Sequence, residues 1–233
     1  MKHMDGDHRI NFFLNKNLLP EDAETSSWGL STLVEMGIIP IESLYPIIDD
    51  ILSNTDVNGI IQVYFQPERQ GRANRIDHVA LADIFYFLNL VGREKDALVS
   101  QNFVSEHLEN KTYLEGSRYY HSPDVFLYFL SRLMRFSKMR ERFHASLRRE
   151  IQSRFGSTDF PLDVAMRVTS ANILGIDSTS EKEKLLAMRD KNGVWPSDAI
   201  YRYGGSGGVE GYFGSSYIST SFALEALAPR VDT

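Results

Sequence analysis

Apolar residues recur along this chain at helical spacing, in segments of two kinds. Some are apolar nearly all round, and others carry only one apolar side. Ala23, Leu30, Leu33, Val34 and Met36 follow a polar leader closed by Pro20, and the run stops at Gly37. That spacing predicts a helix over 22–36. Ile41 to Ser53 predicts a second, with Leu44, Ile47, Ile48, Ile51 and Leu52 on one side. Asp77 to Val91 has no polar face, so a buried helix is expected there, capped by Asp77 and ended by Gly92. Glu94 to Glu109 is more polar and belongs outside it. Ser122-Pro123-Asp124 opens the next apolar helix, with Ser122 as cap and Pro123 in the first helical position. Lys138 to Phe155 is amphipathic and basic, Asp163 to Leu174 is apolar and closed by Gly175, and Ser180 to Met188 is short and charged. Tyr217 to Leu227 is a last apolar helix. Between these segments lie turns at Asn58-Gly59 and Asn192-Gly193, a β-prone run from Ile60 to Phe65, a polar loop from Pro67 to Arg75 and a glycine-rich stretch from Tyr203 to Gly214.

Buried and exposed helices therefore alternate. The buried ones begin near Asp22, Asp77, Asp124, Asp163 and Ser216, at irregular intervals of roughly fifty residues. Helical hairpins stacked into a closed ring account for this: an all-α fold, an α/α toroid (barrel) of alternating inner and outer helices. Residues 1–17 read as an arm packed on a single barrel domain over 18–233. A closed ring gathers the N-termini of its inner helices at one mouth.

Composition narrows the function. The 233 residues are 42% hydrophobic and 12% aromatic, enough for a folded core. A net charge of −6 offers no basic excess for phosphates, so no nucleic-acid partner is expected. The arginines of the 138–155 helix are interspersed with Glu141 and Glu150 and read as a solvated face. Cysteine is absent, which excludes disulfides, thiolate zinc sites and cysteine nucleophiles. No apolar run has transmembrane length and no signal peptide opens the chain, so a cytoplasmic location is expected. His8, His78 and His121 are scattered without close ligand spacing, and no metal is expected. Gly204 to Gly208 lacks a preceding strand and nucleotide-fingerprint spacing, and reads as a lid or turn.

The inner tips carry the candidate chemistry. Asp22 and Glu24 lie together on a first turn, with Thr25, Ser26 and Ser27 as hydrogen-bond donors. Two such carboxyls can share a proton. The same residues also suit an ordinary helix N-terminus, which favours acids and hydroxyls.

Two motifs give the chain a family likeness. Inner and outer hairpins joined by a Gly-aromatic turn resemble the α/α-barrel superfamily of terpenoid cyclases and protein prenyltransferases, over roughly residues 18–228. Arg189 to Pro196, RDKNGVWP, is similar to a degenerate Gln-Trp repeat of squalene-type cyclases. Asn58-Gly59 and Gly116 to Tyr120 look like weaker copies. Asp22-Ala23-Glu24-Thr25-Ser26 resembles the Asp-x-Asp-Asp or Asp-x-Asp-Thr-Thr acid motif of class II terpenoid cyclases, with Glu24 where that family has its proton-donating Asp. The prenyltransferase branch uses a cysteine in its zinc site, which this chain lacks.

The resemblance implies a class II cyclase-like enzyme, an isomerase that cyclises a linear isoprenoid or prenylated substrate by protonation. Glu24 is then the general acid and Asp22 its tuning partner. Trp28, one turn below Glu24 on the same face, Thr25, Asp77, Tyr119, Tyr120, Phe126, Tyr212 and Phe213 would bind substrate, the aromatic faces stabilising a cation. Arg72 and Arg118 would hold a diphosphate. No cofactor is implied, with Mg2+ entering only for a diphosphate substrate. In this superfamily the class II site usually lies between two barrels, so one barrel must use its own cavity, form a homodimer, or be silent. Two other readings stand beside it: a non-catalytic barrel that binds an isoprenoid or a partner, and a carbohydrate-active toroid in which carboxylates such as Glu24 and Asp77 flank a glycosidic bond.

Overall fold

A computed structural model describes residues 8–203 and 211–228. Among these residues are nine α-helices, several short 3-10 turns and one two-stranded hairpin. They group into two compact units divided between His107 and Leu108. No described helix is long and apolar enough to cross a membrane.

The first unit holds α1 (Ala23–Glu35), α2 (Tyr45–Ser53) and α3 (His78–Leu90), and α4 (Leu98–Glu109) runs across the divide. α1 packs on α3. Both start on an aspartate in extended conformation. Asp22 accepts the Thr25 amide at 2.6 Å, and Asp77 accepts the amides of Val79 and Ala80 at 2.9 and 3.4 Å. These bonds satisfy amide donors that a helix start leaves open. α3 is buried from His78 through Leu88, as its all-round apolar sequence requires.

Two elements differ from the expectation. The helix read over 41–53 opens as a 3-10 turn, Ile41–Leu44, because the Pro46 ring opposes the carbonyl four residues back and lacks an amide proton. The β-prone run Ile60 to Phe65 forms isolated bridges, Thr55 to Ile61 and Asp22 to Tyr64, and no named strand. Its backbone pairs instead with helix ends and loops: Ala23 N donates to the Val63 carbonyl and Val63 N to the Arg75 carbonyl, each at 2.8 Å.

The N-terminal arm is tied to this unit. Arg9 donates to Asp50 at 2.6 Å and lies over the Phe65 ring. The Ile10 amide donates to Ser26 Oγ at 2.9 Å. Ile10 Cδ1 would lie 2.6 Å from a Cβ at position 29, so Gly29 opens the way for the arm to lie on α1.

The second unit is built on α7 (Pro161–Leu174), which packs on α5 (Pro123–Arg132), α6 (Ser137–Ser153), α8 (Thr179–Ala187) and α9 (Ser216–Leu227). In the second unit the buried α5 and α7 lie against each other, with the more polar α6 and α8 beside α7. α9 packs on α7 through Ser219, Ala223 and Ala226 and leaves the rest of its surface largely open. In the first unit α1 packs on α3. This helix-on-helix packing is consistent with an α/α solenoid or toroid. A hairpin, β1 (Ala199–Tyr203) with β2 (Gly211–Gly214), precedes α9. Most of the glycine-rich run, including Gly204 to Gly208, lies outside the described residues, and its flanks pair as strands. A Cβ at Gly214 would overlap the Asp198 carbonyl, so glycine is needed where β2 meets the foot of β1.

Two features fix this unit. Trp195 is buried among Val164, Ala165, Val168, Leu185, Ala223 and Ala226, and its Nε1 donates to the Leu185 carbonyl at 2.7 Å. The tryptophan of the Gly-x-Trp turn therefore joins α8 to α7 and α9. Arg167, fully buried on α7, donates to Asp124 at 2.8 Å and to Glu181 at 2.9 Å, and Arg154 donates to Asp124 at 2.7 Å. Three arginines of α6 also bind the protein: Arg140 the Met134 carbonyl, Arg148 the Leu174 carbonyl that ends α7, Arg149 the carboxylates of Glu109 and Glu150.

Candidate functional site

The acidic tip of α1 is buried. Asp22, Glu24 and Ser26 are all withdrawn from solvent. Burial drives the Asp22 carboxyl up to about 7, against the opposing pull of the Thr25 amide and hydroxyl and the Glu24 amide. A carboxyl that holds its proton near neutrality is the chemistry an acid catalyst needs. Ser26 is structurally committed, donating to the Asp22 carbonyl at 2.7 Å while accepting the Ile10 amide. Glu24, Ser27 and Ser31 fall three and four residues apart, on one face of α1. The Ser27 and Ser31 hydroxyls are buried with no hydrogen-bond partner among the described residues.

Trp28 departs from its expected position. Glu24 is 8% exposed and Trp28 is 43% exposed. Positions 23, 26, 27, 30 and 31 form the buried arc of α1; Glu24 sits at its edge, and position 28 falls just beyond, on the outer side. The shared buried face expected for Glu24 and Trp28 is not formed.

Asp77 is a buried cap at the tip of α3. Beside it, the His78 ring lies against His107 with centroids 3.9 Å apart and the planes tilted by 39°, and burial lowers His78 to about 4, so the imidazole is neutral at physiological pH. Among the described residues no three His, Asp or Glu side chains converge to hold a metal ion. Arg72 donates to the Leu18 carbonyl at 3.0 Å and works as a strut for the arm. Arg118 is exposed in the second unit, and its carbonyl accepts from Arg202 at 3.1 Å.

In the second unit the structure brings together most of the aromatic residues singled out in the sequence, through one that was missed. Tyr119 stacks on Tyr201 at 5.6 Å, with the rings nearly parallel. Tyr120 meets Tyr201 edge-on at 5.7 Å, and Phe213 lies 6.0 Å from it. Tyr212 sits edge-on to His121 at 5.6 Å. The alternation Tyr201-Arg202-Tyr203 in a strand was the available signal. Phe126 does not join this group; it is fully buried and packs against Tyr113 at 5.5 Å.

A cluster at the N-terminus of α7 also escaped the sequence reading. Phe160 supplies no side-chain cap there. Asp198, far along the chain at the foot of β1, supplies it instead, accepting the amides of Leu162 and Ala199. Asp163 lies in the first turn of α7 and is hydrogen-bonded by Ser122, whose oxygen also caps α5. Burial raises Asp163 to about 6, helped by the charges of Asp124 and Asp198 and opposed by Arg167. Burial also raises Asp198, and it lowers His121, where Asp198 pulls the other way and Arg202 adds to the lowering.

Comparison with known proteins bears on this arrangement. Residues 1–90 match the family described as "Sesquiterpene cyclase astC-like C-terminal domain". Over 95% of its length the chain is 30% identical to drimenol cyclase drtB of Aspergillus calidoustus, and it spans 42% of that protein. A crystal structure of a protein from Actinoplanes has a similar fold, with a TM-score of 0.70 at 13% identity, covering 97% of this chain and 79% of that one. The matched family region contains the Asp22–Thr25 tip and both aspartate caps of the first unit. The first 90 residues are thus similar to a sesquiterpene cyclase-like C-terminal domain, and the chain is similar to part of a drimenol cyclase.

Proposed function

We propose that this protein is a class II-type cyclase that closes a linear, sesquiterpene-length isoprenoid by protonation. The observation that carries the reading is the buried acidic tip of α1, where burial raises the Asp22 carboxyl to about 7. The names borne by the similar proteins supply the substrate class.

In this reading Glu24 is the proton donor. Its O–H bond breaks as the π electrons of a substrate alkene take the proton, forming a C–H bond and leaving a tertiary cation. The next alkene attacks that cation and closes a ring. Asp22, fixed by the Thr25 amide, orients Glu24 and limits its ionisation by sharing a proton.

The test is product analysis by mass spectrometry after incubation with linear prenyl diphosphates and prenylated compounds. A cyclised isomer from the wild type, absent with a folded Glu24→Gln variant, supports the reading. Full activity of that variant removes Glu24 as the acid. Thermal stabilisation by a panel member without turnover replaces catalysis by a binding function.

A further inference from the structure

An acid that gives its proton to a substrate is left ionised and must be reloaded before the next turnover. Glu24 is withdrawn from solvent, so the reloading proton needs a route. Residues three and four apart share a face of a helix. From Glu24 that face runs through Ser27 and Ser31 to Glu35, a rise of about 16 Å along α1. Ser27 and Ser31 are buried, and Glu35 is exposed at the end of the helix. There the Tyr86 hydroxyl, on α3, donates to Glu35 Oε1 at 2.7 Å. A buried carboxyl, two hydroxyls and an anchored carboxyl open to solvent thus stand in file within the first unit.

The two hydroxyls differ from others on the same helix. Ser26 and Thr32 each donate to the carbonyl four residues back, at 2.7 and 3.1 Å. Ser27 and Ser31 make no such bond, and neither has a hydrogen-bond partner among the described residues. A buried hydroxyl left in this state costs stability, and alanine at either position would avoid the cost and suit a helix better. The local fold therefore gives no reason for serine at 27 and 31. A serine hydroxyl donates and accepts at once, as a proton relay requires. Positions three and four apart hold their Cβ atoms about 5–6 Å from each other, a spacing that one water bridges.

We infer that Ser27 and Ser31 relay protons from Glu35 to Glu24 and so reload the acid after each turnover. This rests on the cyclase reading. Glu35 takes a proton from solvent and passes it inward to Ser31, then to Ser27, through bridging water. Each oxygen that receives a proton gives up the one it held, so both hydroxyls end as they began. The Glu24 carboxylate regains the O–H bond it lost to the alkene, and Glu35 is ready to take another proton. The relay consumes nothing but a solvent proton. Tyr86 is a positioning residue, since its bond holds Glu35 at the outer end of the file.

The experiment follows cyclised product per enzyme by rapid quench, with a linear sesquiterpene-length prenyl diphosphate in excess. It compares the wild type, the double variant Ser27→Ala/Ser31→Ala, and Glu35→Gln. Each variant is first shown to be folded by its circular dichroism and melting curve; the alanines lose no hydrogen bond, and glutamine keeps an acceptor for Tyr86. The expected result is a burst of a single product per enzyme at the wild-type rate, followed in both variants by steady turnover at least several-fold slower. A merely structural role would not divide the first turnover from the later ones. Unchanged steady turnover in the double variant overturns the inference and leaves the cyclase reading intact. A first turnover slowed as much as the later ones also overturns it, because the serines would then serve the acid or the substrate directly. Slow turnover in the double variant alone overturns Glu35 as the source. A wild type that yields no cyclised product with any panel substrate overturns both the relay and the cyclase reading.

Discussion

Asp56 and Asp190 make the same turn, one in each unit. In Asp56-Val57-Asn58-Gly59-Ile60 the Asp56 carboxylate accepts the amides of Asn58 and Ile60 at 3.0 and 2.8 Å, and its own amide donates to the Ile60 carbonyl at 2.9 Å. In Asp190-Lys191-Asn192-Gly193-Val194 the corresponding distances are 2.8, 2.9 and 2.8 Å. The glycines share a φ of +81°. The Gly-aromatic likeness in the sequence is thus a repeated piece of local chemistry, and the aspartate is the member that holds it.

Ala at Gly193 should therefore act through backbone strain alone, because no atom lies within 4 Å of the missing Cβ. The left-handed conformation costs a residue with a Cβ roughly 1–2 kcal/mol. Urea unfolding of Gly193→Ala and Gly59→Ala should show losses of this size. The carboxylates of Asp56 and Asp190 are held below their usual range by the turn amides. What they contribute is present above the unfolded pKa and lost as the pH falls through the lower folded value, so Asp190→Asn should flatten the acid limb of the stability profile.

Asp22 has the opposite sign. Its carboxyl rises from 3.8 to about 7 in the folded protein, so the native state resists its ionisation. That penalty is absent below the unfolded value, grows as the pH rises from about 4, and levels off above about 7. Asn at position 22 keeps the capping oxygen and cannot ionise. Asp22→Asn should be as stable as the wild type at pH 4 and more stable at pH 8, measured by chemical denaturation across that range. Equal stability at both ends would show that the cap bonds, and not burial, dominate this carboxyl.

Removing Arg167 should be the most damaging single change in the second unit. It leaves Asp124 with Arg154 alone and strands Glu181 in the interior. Breaking a buried network from one side costs about 3–5 kcal/mol. Arg167→Met should show a loss in that range by urea unfolding, with Glu181→Gln in the Arg167→Met background recovering part of it.

Trp195→Phe tests the anchor of the Gly-x-Trp turn. It preserves most of the aromatic volume and deletes the indole donor to the Leu185 carbonyl, which keeps the Met188 amide at 3.1 Å. About 0.5–1.5 kcal/mol is expected, read from the melting temperature of the purified variant.

The helices were legible because their apolar spacing and their stops are local. Asp22, Asp77 and Ser122 were readable as starts, since a cap acts on the three residues after it. The α7 tip was not readable in the same way. Its cap comes from Asp198, a partner that no spacing rule reaches, and Asp163 is the third residue of the helix it was expected to begin. The hairpin was hidden because its glycines resemble loop glycines until the Asp198 carbonyl is seen to need the space at Gly214. Trp28 was misplaced by a small rotation: a residue four along a helix advances slightly more than a full turn, enough at the edge of a buried arc to move a large ring outward.

The two tryptophans of the chain are divided between its units, Trp28 exposed on α1 and Trp195 enclosed beside α7. Their intrinsic fluorescence should therefore separate by colour and by access to quencher: a red-shifted, acrylamide-sensitive signal from the first unit and a blue-shifted, protected one from the second. Trp28→Phe and Trp195→Phe each leave a single emitter. The chain thus carries its own optical label in each half, and unfolding of either half, or a ligand settling near α1, can be followed without an added dye.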